Sequence, residues 1–311
     1  MLDKDFTIQF IEKAKSLGFQ DIGISKAREL TEEAKNLEKW LLNGFHGDME
    51  YMHRNFDLRI DPKKLFPGAK TIISLTHNYY NDIQFEDASR PKIAKYAYGK
   101  DYHKVLKKKC NLLIDWIIEQ KGTIQARAFV DSAPILERKW AEISGIGWIG
   151  KNSLLLTKGK GSFFFLSEII IDIPMEYTES KATDYCGKCT KCIDACPTEA
   201  IVAPYQIDSN KCISYLTIEY KKELPDTYND KMNSWIFGCD ICQDVCPINA
   251  RSKNHKEPKF SPNEQFISLN KEEMYNINEI QFNTIFEGSA IKRTKFEGLI
   301  RNLDFIKKNE D

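Results

Sequence analysis

The sequence predicts a mixed α+β, α/β chain in three stretches: a first unit of alternating helices and strands, a cysteine-rich second unit, and a helical C-terminal segment. Three observations predict it. Up to Pro174 the apolar residues switch repeatedly between a period near 3.6 and a period of two, the marks of amphipathic helices and half-buried strands. Eight of the nine cysteines stand between Cys186 and Cys246. Beyond residue 258 only helical periods return. The expected units are therefore residues 1–175, 176–258 and 259–311.

Residues 4–17 place Phe6, Phe10, Ala14 and Leu17 on one face and meet Gly18, which predicts a helix and its stop. Ile22 and Ile24 alternate in a short strand over 21–25. Thr31, followed by Glu32 and Glu33, is expected to cap a second helix carrying Leu37, Trp40 and Leu41 up to Gly44. The stretch from Gly44 to Arg54 mixes glycine, aromatic and polar residues without a period and is expected to line a site. Residues 70–80 contain a near-continuous β-prone run that suits an interior strand.

Asp101 is placed to cap a helix with Leu106, Cys110, Leu113 and Ile117 on its inner face, which makes Cys110 a core residue. Residues 123–130 alternate as a strand and deliver Asp131, after which Ser132-Ala133-Pro134 is expected to open a helix containing Leu136, Trp140 and Ile143. Asp131 then reads either as that helix's cap or as a catalytic carboxylate at a strand-to-helix junction. Gly145-Ile146-Gly147-Trp148-Ile149-Gly150 matches G-x-G-x-x-G, but it follows a helix and leads into a strand, the reverse of the dinucleotide-binding context. Its glycines are expected instead to let the backbone approach some other large, flat ligand. A long β run over 161–173 closes the first unit, and helices are expected over 212–222 and 289–303.

The cysteines carry the most specific signal. Cys186, Cys189, Cys192 and Cys196-Pro197 form the Cys-x2-Cys-x2-Cys-x3-Cys-Pro run of two-cluster ferredoxins. Cys212, then Cys239, Cys242 and Cys246-Pro247, repeat it with an insertion after the first cysteine. In that arrangement the fourth cysteine of each run serves the other run's cluster. Cys186, Cys189, Cys192 and Cys246 are thus expected to hold one 4Fe-4S cluster, and Cys196, Cys212, Cys239 and Cys242 the second. A zinc ribbon would leave the third and fourth cysteines and both Cys-Pro endings without a use.

Composition excludes less. Lys plus Arg and Asp plus Glu balance at 45 each, so no global field recruits nucleic acid or membrane. Neither a secretory leader nor an apolar run of membrane-spanning length is seen. A cytoplasmic, reducing location without membrane attachment is expected.

Together these segments resemble the epoxyqueuosine reductases, oxidoreductases that use cobalamin and iron–sulfur clusters to complete queuosine in tRNA. The likeness runs nearly end to end. It rests on His46-Gly47-Asp48-Met49, Tyr98 to His103, Val130 to Glu137, Gly147 to Asn152, both cysteine runs, Cys212 to Glu219 and Ser289 to Arg293. The resemblance implies a cobalamin-binding, nitroreductase-like α/β domain feeding from a ferredoxin-like domain, followed by the helical tail. It makes Asp131 the proton donor, with a carboxyl whose acidity must be weakened to hold a proton near neutral pH. Arg54, Tyr98, Asp131, Lys151, Asn152, Ser153, Ser214 and Asp240 become the expected cobalamin contacts. Lys221, Lys222, Lys292, Arg293 and Arg301 become the expected contacts to tRNA phosphates. The partners implied are tRNA carrying epoxyqueuosine and an external electron donor, acting with a monomer. A cobalamin-dependent reductive dehalogenase and a non-catalytic iron–sulfur electron carrier are the alternatives. The first usually carries an export leader, and the second leaves the first unit without a purpose.

Overall fold

A computed structural model describes residues 3–308. Its centre is a four-stranded sheet of β1 (Ile22–Lys26), β2 (Thr71–Asn78), β3 (Ala126–Phe129) and β4 (Phe164–Ile171), in the order β1-β2-β4-β3. Every pairing in this sheet is antiparallel. The ligand rule for open parallel sheets, which favoured Asp131, therefore does not apply here. Strands β2 and β4 have a partner on each side, and almost every residue of both is buried, as fits strands covered on both faces.

Successive residues of a strand face opposite ways, so β2 and β4 feed two cores. On one face Ile73, Ile169 and Ile171 meet α1 (Lys4–Ser16) through Phe10 and α3 (Tyr102–Lys121) through Leu106 and Ile117. Cys110 of α3 is fully buried there. On the other face Ile72, Phe129 and Ile170 meet Trp140 of α4 (Glu137–Ile143). Asp3 caps α1 by accepting from Phe6 N, and Asp101 caps α3 by accepting from His103 N.

A separate core joins the C-terminal segment to the rest. Phe266, Phe282, Leu299 and Leu303 pack with Ile236 and Phe237, and also with Ile93, Ala94 and Ala97 from the first stretch. Trp235–Phe237 pairs in parallel with Lys92–Ile93. Buried Arg90 donates to the carbonyls of Phe266 and Leu269 at 2.8 and 3.1 Å, which satisfies both ends of the contact. Among the described residues no helix is long and apolar enough to cross a membrane.

Several local expectations change. Thr31 lies inside α2 (Thr31–Leu42), whose cap residue Leu30 offers no side-chain bond. Helix α5 (Ile213–Ile218) covers only part of the stretch expected after Cys212. The tail's last helix, α6 (Lys295–Lys307), follows a 3-10 turn over Ala290–Thr294. The glycines at 147 and 150 are required by packing within the chain itself. A Cβ on Gly147 would stand 2.0 Å from Leu156 O, and one on Gly150 would stand 2.4 Å from Leu156 Cδ1. They allow Trp148–Ile149 to pair tightly with Leu155–Leu156 as a hairpin.

Candidate active site and cysteine centres

The chain leaves β3 at Phe129 and does not enter a helix at once. Asp131 takes φ 55, a left-handed conformation that a non-glycine residue adopts at a cost. Tight bonds from Ser132 N to Val130 O (2.6 Å) and from Ile135 N to Ala133 O (2.9 Å) fold 130–135 into a turn. Helix α4 begins only at Glu137. Asp131 is thus no helix cap, and Pro134 is not in a first helical turn. The bond runs the other way, with Asp131 N donating to Glu137 Oε1 at 2.7 Å.

The Asp131 carboxylate is aimed by two neighbours from the start of α3. Tyr102 O–H donates to Oδ2 at 2.7 Å, and His103 Nε2 lies 3.2 Å from the same oxygen. His103 Nδ1 is held by Asp101 Oδ1 at 2.7 Å. Protein surrounds Asp131 on most sides, yet 52% of its side-chain surface is accessible. A group that is enclosed but reachable lines a cleft.

Charge in this cleft is distributed against expectation. Burial pushes the Asp131 carboxyl up, but the bonds from His103 and Tyr102 outweigh it and hold it below the usual range. This direction is opposite to the one expected for Asp131 as a proton donor. Burial lowers His103, but Asp101 and Asp131 on its two nitrogens outweigh that and raise it to about 9, so the imidazole is charged at neutral pH. Burial, then the Asp131 charge, pushes Glu137 up to about 7. Buried Arg59 and, at the rim, Tyr51 and Arg293 complete the surroundings. Tyr102, His103 and Glu137 were missed as site residues although they stand inside the quoted motifs. Only the fold shows that they converge on Asp131.

The other expected cofactor contacts scatter. Arg54 is exposed on a helical turn, Tyr51–Arg54. Ser153, at φ 59, presents its carbonyl to the Arg138 guanidinium. Tyr98 packs on Phe85 and Phe266 at 5.4 and 5.6 Å between ring centres, inside the C-terminal core. Lys151 Nζ donates to Gly187 O and Cys189 O at 2.7 and 3.0 Å, Asn152 reaches Cys242 O at 3.4 Å, and Ser214 N–H is directed at the Cys212 sulfur. Asp240 is buried, accepts from Lys95 N at 2.8 Å and sits 3.6 Å from Lys95 Nζ. Four of these residues thus support the cysteine loops.

The eight cysteines gather in two groups across the two runs. Cys186, Cys189, Cys192 and Cys246 line one cavity, together with Lys151 and Tyr185. Cys239 has Cys212 and Cys196 as neighbours, and Cys242 has Cys212 and Cys239. Cys192 also faces Cys242, so the groups adjoin. Among the described residues no three ligating side chains converge on one point where a single ion could touch all of them. The two groups are the crossed sets that the two-run cysteine pattern assigns to two 4Fe-4S clusters.

The expected phosphate contacts differ in freedom. Arg301 is unavailable, because its guanidinium donates to the carbonyls of Leu216, Tyr220 and Lys222 at 2.9, 2.5 and 2.8 Å and so closes the end of α5. Lys221 Nζ donates to Ile218 O at 2.5 Å. Lys222 pairs with Asp48 at 3.1 Å and Arg293 with Glu219 at 2.6 Å. Lys292 contacts Asn283 and lies over the Phe282 ring.

Residues 59–132 match the family described as epoxyqueuosine reductase QueG, DUF1730, and residues 185–249 match the 4Fe-4S double cluster binding domain. The epoxyqueuosine reductase of Cellulophaga algicola is 53% identical over 95% of this chain and 96% of its own length. That of Escherichia coli K12 is 41% identical over 92% of this chain and 76% of its own. The crystal structure of an epoxyqueuosine reductase with a tRNA-Tyr epoxyqueuosine-modified stem loop superposes with a TM-score of 0.85, at 30% identity, over 98% of this chain and 81% of that one. The Bacillus subtilis enzyme, solved with its catalytic aspartate loop swung out of the active site, gives 0.89 at 31% identity over 98% and 82%. The chain belongs to the epoxyqueuosine reductase family of oxidoreductases.

Proposed function

We propose that this chain reduces epoxyqueuosine to queuosine in tRNA, with Asp131 as the group that hands a proton to the departing epoxide oxygen. Opening the epoxide to an alkene takes two electrons and two protons and releases water. No side chain supplies those electrons. The eight cysteines are proposed to hold two 4Fe-4S clusters in the crossed sets Cys186, Cys189, Cys192, Cys246 and Cys196, Cys212, Cys239, Cys242. Cobalamin held beside Asp131 would supply the reducing electrons that no side chain can provide. The Asp131 side chain is reachable from solvent, and both His103 nitrogens are already engaged by carboxylates, so neither is offered to a metal.

The chain's own part is positioning and proton supply. Tyr102 and His103 fix Oδ2 of Asp131, and His103 Nε2 is the nearest proton store at neutral pH. A proton passing from His103 through Asp131 to the leaving oxygen replaces a permanently protonated aspartic acid. Lys222, Lys292 and Arg293 are proposed to meet tRNA phosphates at the rim, and the unpaired anticodon bases are proposed to enter the cleft. The Bacillus subtilis relative's loop motion supports a mobile Asp131 turn here. We assign residues 1–175 to the catalytic unit, 176–258 to the cluster unit and 259–311 to the tail that joins them, in a chain working in the cytoplasm.

The observation that carries this reading is the solvent-reachable Asp131 carboxylate with two donors on one oxygen. Asp131→Asn is expected to keep the fold, since an amide oxygen accepts from the same Tyr102 O–H, while turnover falls by about 10² or more. Mass spectrometry of tRNA from cells lacking the enzyme, complemented with either version, checks it. Full conversion by the variant would remove Asp131 from the chemistry, and persistence of epoxyqueuosine with the unmutated chain would remove the reaction.

A further inference from the structure

Glu168 is 0% exposed in the middle of β4, in register with Ser74 of β2 and Phe129 of β3. No donor reaches either of its carboxyl oxygens, and the Ser74 hydroxyl beside it is unpartnered too. Its close polar neighbours are the Ser74 hydroxyl and the carboxyl of Glu137. An isolated buried carboxylate is strongly disfavoured, and two in contact cannot both be charged. A proton must therefore lie between Glu168 and Glu137. Glu137 in turn accepts from Asp131 N at 2.7 Å, at the residue whose φ of 55 strains the turn.

We propose that the proton shared by Glu168 and Glu137 is the latch that holds the Asp131 turn in the cleft, with both glutamates acting as positioning residues. The protonated Glu168 donates to Glu137, which stays an anionic, strong acceptor for the Asp131 amide. The latch rests on the assignment of Asp131 above and adds the device that aims it. Facing the pair are Asp131, Arg138 and Arg59, the Tyr102 hydroxyl, and the Cys110 thiol behind the sheet. Burial drives Glu168 well above the ordinary carboxyl range, and Glu137 sits near about 7. The acceptor is therefore anionic above that pH and weakens as pH falls through it.

Two variants separate this role from simple packing. Glu168→Gln keeps a donor toward Glu137 without a titratable proton, and Glu168→Leu keeps volume without a donor. In the cluster-loaded, cobalamin-free protein, infrared difference spectra at neutral pH should show the C=O stretch of a protonated carboxyl, which Glu168→Gln erases. Amide exchange over 131–136 should quicken in Glu168→Leu and stay slow in Glu168→Gln. With tRNA, Glu168→Leu should lose about tenfold in kcat with KM little changed, and Glu168→Gln should remain within about threefold of the unmutated enzyme. Should Glu168→Leu fail to fold, Glu168→Gln alone decides. A band that survives it, or a kcat as low as that of Asp131→Asn, overturns the latch, and so does equal behaviour of the two variants. The band and the exchange are read without the reaction, so their failure is distinct from a failure of the proposed activity.

Discussion

The cysteine centres and the Asp131 cleft stand in opposite relations to what they bind. In the cleft the charges of Asp131, Asp101, His103 and Arg293 already have partners: Asp131 with Tyr102 and His103, His103 with Asp101, Arg293 with Glu219. The cysteine centres are the reverse. Burial pushes the thiols of Cys212, Cys239 and Cys242 up, and each has other cysteines as neighbours rather than a cation. Thiolates so placed are stable only with a metal to offset them. The cleft is thus compensated by protein, and the buried thiols are left for a metal to compensate.

The largest effect that could break this contrast comes from Cys246→Ala. Cys246 lines the cavity of the first run although it belongs to the second. Iron and acid-labile sulfide are expected to fall from about eight to about four per chain, and turnover should vanish for want of an electron path. The remaining cluster should be the one held by Cys196, Cys212, Cys239 and Cys242. Retention of eight irons, or loss of the other cluster instead, would show that the sets do not cross. The circular dichroism of the first unit should change little, because the four-stranded sheet owes nothing to iron.

A smaller effect sharpens the account of the cleft. The His103 value is raised from 6.5 to about 9 by Asp101 and Asp131, so the folded state binds this proton more tightly than the unfolded chain. The stabilisation is fully present below pH 6.5 and is lost as pH rises through about 9. Turnover should follow the same alkaline limb, since a neutral imidazole cannot resupply Asp131. His103→Gln keeps a hydrogen-bond donor but no transferable proton. It is expected to lower kcat by about tenfold and to abolish that limb. A limb near 9 that persists in His103→Gln would assign the titration to another group.

Much of this was legible in local spacing. The cysteine sets, the buried strand over 71–78, the inner face of α3 and the place of Cys110 all follow from intervals of a few residues. The Asp131 turn was not legible, because Ser132-Ala133-Pro134 suits a helix start equally well. What prevents the helix is a long-range preference: the Asp131 amide meets Glu137, and its carboxylate meets two residues of a different element. Glu168 was hidden for the same reason. In the sequence it is one polar residue in a β run, and only the register with Ser74 and Phe129 puts it beneath Glu137. The inferred acidity of Asp131 failed because the resemblance named the carboxylate without its two donors. The partners of Arg301 were hidden likewise, since a basic residue on a helix face reads as a phosphate contact until its carbonyl acceptors are seen.

The smallest expected effect concerns two of the expected phosphate contacts, Lys222 and Arg301, which look alike in sequence and differ in place. Lys222 has a side chain 69% exposed, and its bridge to Asp48 is of the solvated kind that contributes little. A phosphate can displace that partner at small cost. Lys222→Ala should therefore weaken tRNA binding only a few-fold, about equally for related stem loops, and should reduce the slope of log affinity against log salt by roughly 0.7. Arg301 has three carbonyls as partners and α5 beneath it. Arg301→Ala should leave the salt slope unchanged and instead lower thermal stability, because three carbonyls at the end of α5 lose a charged donor. Binding isotherms at several salt concentrations, paired with melting curves, separate the two. A reduced slope in Arg301→Ala with no loss of stability would mean that its guanidinium leaves those carbonyls for RNA.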